Sequence, residues 1–166
     1  MARSNLTTKF IVGTVNRFQK SYRDENEDCK KKNIARYITV DVINRKGVPD
    51  IDDVLLLIKL GNNMCDDVQA EAILERWLED ENNKKRGIAG AFCDVCKDYC
   101  LDIPVDSLHK EQCEQLEDII NKRIEMQKQL ASMADKMTEL IDKFKDIQAN
   151  KEAEADTGTE IESTQE

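Results

Sequence analysis

The chain has 166 residues, enough for one domain of ordinary size plus an appendage. With 5% aromatic and 36% charged residues the core must be aliphatic and small, and two Pro with six Gly are too few turn formers for a β-sandwich or barrel. The net charge of −9 is uneven: residues 1–46 carry eleven Lys/Arg against five Asp/Glu (+6) and the rest fourteen against twenty-nine (−15), so the acidic body argues against general nucleic-acid or anionic-membrane binding.

The basic first 46 residues read first as a solvated face, with a local contact surface as the alternative. The opening MARSNLTTKF lacks the apolar stretch of a signal peptide, and no segment approaches the length of a membrane span. A cytosolic, reducing setting is therefore expected. There the six cysteines, at 29, 65, 93, 96, 100 and 113, are thiols or metal ligands rather than disulfide staples.

In chain order, residues 6–22 are predicted helical. Thr7 or Thr8 can cap them, and Ile11, Val15, Phe18 and Tyr22 form one stripe. RDENEDCKKKN (23–33) is a charge-dense connector. IARYITVDVINR (34–45) fits either type of element. Ile34, Ile38 and Val42 suit a helix, while alternation about Ile38, Val40 and Val42 suits a strand. Helix is preferred because no second strand is evident to pair with it. KGVP (46–49) breaks the chain, and Asp50 then caps an apolar helix, IDDVLLLIKL, ending at Gly61. Asp66 opens another, with Gln69 placed as in a capping box and Ala70, Ile73, Leu74, Trp77 and Leu78 facing inward. Residues 82–87 are expected to be a loop. A helix carrying Ile88, Phe92, Val95, Tyr99 and Ile103 follows and ends at Pro104.

Asp106 can cap a long last helix. Along it Leu116, Ile119, Arg123, Met126, Leu130, Met133, Met137, Leu140, Phe144 and Ile147 alternate at steps of three and four, with no Gly or Pro between Val105 and Ile147. That spacing holds one seam toward a partner for more than four heptads. The nine apolar members are the expected partner-binding residues. Taking Leu116 as a, Ile120, Ala134 and Ile141 widen the seam at e, and Lys122, Lys136 and Lys143 stand at g without an acidic e row to face. A parallel homodimer is therefore poorly specified. An antiparallel hairpin, a bundle with another chain or a groove partner fits as well. The three Met make the surface adaptable, although an ordinary packed amphipathic helix gives the same pattern. Residues 150–166 turn polar and acidic and should be disordered. The expected architecture is all-α: a helical domain over 1–104, a coiled-coil-like helix over 105–149, and the tail.

Chemistry is sparse. Cys93, Cys96, Cys100, His109 and Cys113 read C-x2-C-x3-C-x8-H-x3-C, which contains the ligands of a tetrahedral zinc site at no recognised finger spacing. Buried thiols that merely pack are the preferred reading, so neither metal nor cofactor is assigned. No nucleophile elbow or Gly-rich phosphate loop occurs. The pairs Asp52–Asp53 and Asp66–Asp67 sit where helix N-termini favour carboxylates. No catalytic residue is named and no enzymatic activity is expected.

The ordered segments NLTTKFIVGTVNRFQKSYRD, DIDDVLLLIKLGNN, CDDVQAEAILERWLEDENN and KRGIAGAFCDVCKDYCLDI, over residues 5–104, resemble the tail assembly chaperones of long-tailed bacteriophages. The likeness lies in segment order and helix polarity, with Trp77 at the end of the acidic helix. The cysteines and the heptad helix depart from the family. The resemblance implies a non-enzymatic protein of the host cytoplasm that binds a helical tape measure protein, recruits tail tube subunits, and is often also made in a longer, frameshifted form. The alternatives are a coiled-coil adaptor that oligomerises through residues 116–147 and a zinc-stabilised binding module.

Overall fold

A computed structural model describes residues 2–25 and 34–157, with side chains at 2–18 and 34–150. Every element among them is helical: α1 (Val12–Glu25), α2 (Ile34–Arg36), a widened π segment (Tyr37–Lys46), α3 (Ile51–Gly61), α4 (Asp67–Leu78), α5 (Glu81–Asp102) and α6 (Ser107–Thr157). The all-α expectation holds. The chain divides into two units, residues 1–124 and 125–166.

In the first unit α3, α4 and α5 pack on one another and α1 touches α3. Helix α3 starts as its sequence requires. Asp50 accepts from the Asp53 N–H at 3.0 Å, and the Asp53 carboxylate returns the bond to the Asp50 N–H. Such a cap is worth about 1 kcal/mol. Val54, Leu57, Ile58 and Leu60 are then wholly buried, as their continuous apolar run demands. Asp66 and Gln69 form the second expected capping box, and Ala70, Leu74 and Trp77 of α4 are buried.

Three segments depart from expectation. Residues 6–11 are not helical, since α1 begins at Val12. Two carboxylates of α5 take the polar groups that a helix would have used. Asp98 accepts from the Ser4 N–H at 2.9 Å and the Thr7 hydroxyl at 2.6 Å, and Asp102 from the Phe10 N–H at 2.8 Å. The N–H groups of Thr8 and Lys9 go to the Gly61 carbonyl. Leu6 and Phe10 are buried by this strap. Gly61 is required by the close approach: a Cβ there would lie 2.5 Å from Thr7 Cγ2.

Residues 34–46 are helical, the preferred alternative, but wound wide. The Gly47 N–H reaches back five residues to the Val42 carbonyl at 2.9 Å. The β-branched run from Ile38 to Ile43 crowds a normal helix. Gly47 ends the segment at φ +85°, a conformation that favours glycine.

The loop expected at 82–87 is almost all helix. Asp80 accepts from the N–H groups of Asn82 and Asn83, so α5 opens at Glu81, and only Gly87 (φ +58°, ψ −152°) breaks it.

The compact unit also extends past the expected boundary at 104. The first turns of α6 belong to it, with Cys113, Leu116 and Ile120 in its core. Arg86 secures them. Its guanidinium holds Asp94 of α5 at 2.7 and 2.9 Å and Glu117 of α6 at 2.8 and 2.9 Å, and it lies 5.7 Å from the Trp77 ring centre. The Arg86 bonds hold the Glu117 carboxyl below its ordinary range.

In the second unit the backbone is helical through Thr157, which takes in the first residues of the segment expected as a tail. Residues 158–166 lie outside the described set, as do 26–33 of the charged connector and Cys29 within it.

Candidate functional site

The heptad seam has two fates. Leu116 is buried in the first unit and is removed from the partner-binding set, because the compact domain already covers it. Ile120 beside it is buried as well. Ile119 lies at the limit of exposure, and Arg123 is not a seam residue in use. Its Nη1 donates to the Ile43 carbonyl and, at 3.3 Å, to the Gly47 carbonyl, capping the wide segment. From Met126 onward every seam position is open: Met126, Leu130, Met133 (61% exposed), Met137, Leu140, Phe144 (67%) and Ile147, with Ile141 alongside. Good helix formers dominate this stretch, so propensity and length carry the helix without tertiary cover.

The basic groups of the first 46 residues are partly paired with carboxylates of the same unit. Arg3 bonds Asp102, Arg45 bonds Asp41, and Lys46 lies 2.8 Å from both Asp50 and Asp53. Burial pushes the Asp102 carboxyl up, but the bonds from Arg3 and the Phe10 N–H outweigh it and leave the group below its usual range. Lys30, Lys31 and Lys32 lie outside the described residues.

The cysteine cluster separates into two sets. Cys93 and Cys96 face the apolar interior, where burial pushes Cys93 up to about 12 and Cys96 well above its ordinary value. They pack as small hydrophobes, as preferred from sequence. Cys100, near the end of α5, instead meets His109 and Cys113 on the opening turns of α6. Cys100 Sγ is 3.2 Å from Cys113 Sγ, and Cys113 Sγ is 3.6 Å from His109 Nε2. The three ligand atoms all lie within 4.8 Å of one another. Asp106 fixes the turn by accepting from the His109 N–H at 2.7 Å, and Tyr99 packs edge-on to the imidazole. The close contact with Cys113, with His109 adding to it, lowers the Cys100 thiol, and the same contact with burial pushes Cys113 up.

Sequence inspection missed Arg86, Asp98, Asp102 and the role of Arg123. No spacing marks them, since each acts on a residue far away in the chain. Among the described residues no helix is long and apolar enough to cross a membrane. No family model, curated protein or solved structure matches the chain.

Proposed function

We propose that this protein is a non-enzymatic helix-binding protein that holds its client along Met126–Ile147, and that the client is a long helical protein of tape measure type. The observation that carries the reading is the open seam itself: eight large apolar side chains at helical spacing, each half or more exposed. Covering them would gain roughly 1 kcal/mol each, about 8 kcal/mol in all. Association costs about 4–15 kcal/mol, so one engagement is weak and repeated contacts are needed. Weak, repeated contact suits a chaperone that lets go.

Charge chooses the kind of partner. Lys122, Lys136 and Lys143 stand at g, while Ile120, Gln127, Ala134, Ile141 and Gln148 stand at e. A parallel second copy offers g no acidic e row, and an antiparallel one sets Lys against Lys. A client helix with Asp or Glu flanking its apolar stripe satisfies the row. The likeness to tail assembly chaperones supplies the client's identity, a cytoplasmic setting, recruitment of tail tube subunits, and absence from the finished particle.

The test is co-expression of the full chain with a tape measure protein. Wild type keeps the client soluble and co-purifies with it. Met133→Asp with Leu140→Asp cuts recovery at least tenfold, while Trp77 fluorescence still shows a folded first unit. A stable homo-oligomer that the same double change dissociates, with no effect on client solubility, would replace this reading with a self-assembling adaptor.

A further inference from the structure

We propose that Cys100, His109 and Cys113 form a zinc site at the corner between α5 and α6. Two thiols and an imidazole are the ligand chemistry zinc prefers. His109 and Cys113 are one helical turn apart on a single face of α6, and Cys100 comes from the last turns of α5. All three are therefore borne by regular helix rather than loop. Asp106 further fixes the backbone of His109 through its N–H.

The distances suit a tetrahedral ion. Zn–S near 2.3 Å and Zn–N near 2.0–2.1 Å place tetrahedral ligands about 3.6 Å apart for sulfur to nitrogen and about 3.8 Å apart for sulfur to sulfur. The Cys113–His109 pair stands at 3.6 Å already, and the Cys100–Cys113 pair at 3.2 Å needs to open only slightly. His109 and Cys113 are 6% and 3% exposed, which shields the ion from competing water, while Cys100 is half-buried and gives a way in. A cleft of about 150 Å³ lined by Cys100 and Cys113 together with Lys97, Leu101, Lys110 and Glu114 has room for a water as fourth ligand.

Binding balances simply. Zn²⁺ displaces the two thiol protons to solvent, the imidazole binds as the neutral base, and the dication with two thiolates carries no net charge. Cys93 and Cys96 take no part, because among the described residues the ligand atoms that converge within 4.8 Å are those of Cys100, His109 and Cys113. Bound zinc would tie the end of α5 to the start of α6, a join otherwise held by packing, the Arg86 bonds and the Lys97–Glu117 ion pair at 3.8 Å.

The experiment uses the full chain under a non-chelating phosphine reductant, titrated with Co²⁺ as a spectroscopic stand-in. Expected are thiolate-to-cobalt charge-transfer and tetrahedral ligand-field bands saturating at one equivalent and erased by one equivalent of Zn²⁺. Cys100→Ser, at the half-buried ligand, keeps the helical circular dichroism and loses the charge-transfer band. Cys65→Ser keeps both. A folded wild-type chain that develops no thiolate–cobalt band, or a band of equal strength in Cys100→Ser, overturns the site and leaves three packed side chains.

Discussion

Ile120 and Leu140 lie on one helix in one heptad pattern, yet Ile120 is 0% exposed and Leu140 54%. The difference is not in their chemistry. Up to Ile124, α6 has α5 and the wide segment to lie against, and Arg86 and Arg123 to hold it there. Beyond that the same pattern has no cover among the described residues. A heptad repeat states that a face must be covered. Where it packs within its own chain it is core, and where it does not the face stays open.

The sharpest way to break this comparison is the same truncation in both places. Ile120→Ala should cost the first unit about 2–4 kcal/mol through lost burial and a cavity. Leu140→Ala should change it by less than about 0.5 kcal/mol. Urea unfolding followed by Trp77, the single tryptophan, reads the first unit alone. Equal losses would mean that the exposed seam packs on that unit in solution.

The next effect tests what holds the covered part. Arg86→Met should destabilise the first unit by about 2 kcal/mol, because Asp94 and Glu117 lose their hydrogen-bonded cation and keep only Lys97, 4.0 and 3.8 Å away. It should also alter the acid response. Glu117 and Asp102 both have depressed carboxyl values, so their stabilisation is complete above the ordinary carboxylate range near pH 4 and is lost as pH falls through their lower folded values. Urea midpoints measured from pH 7 downward should drop below about pH 4 in wild type, and the Glu117 share of that drop should shrink in Arg86→Met, where only Lys97 still favours the carboxylate. A variant with an unchanged acid profile would remove Arg86 as the cause.

The smallest effect belongs to Arg123. Replacing it by Met leaves the Ile43 and Gly47 carbonyls to water and should cost about 1 kcal/mol. Amide exchange should quicken chiefly between Tyr37 and Gly47. A uniform change over the first unit would mean that Arg123 supports the whole fold rather than this segment.

Much of the helical plan was legible because it is written locally. Asp50 with Asp53 and Asp66 with Gln69 announce their own capping boxes, and VLLLIKL can only be interior helix. What misled was equally local. The stripe Ile11–Val15–Phe18 suggested a helix from residue 6, but Asp98 and Asp102 hold residues 3–10 as a strap from more than ninety positions away. Residues 82–86 looked like a loop because their polar groups give no periodicity. Their helix rests on the Asp80 cap, on Asn83 bonding the Trp77 carbonyl, and on Arg86 reaching α6.

Read alone, the chain determines helix type, two helix starts and the existence of a seam, because capping and periodicity are short-range and survive without knowledge of neighbours. Only the tertiary structure decided where the seam is covered and which thiols meet. The sequence presented five ligand-type residues as one run. Folding sends Cys93 and Cys96 inward and turns Cys100, His109 and Cys113 toward one point, since α5 and α6 meet across Pro104 at an angle that no spacing rule contains.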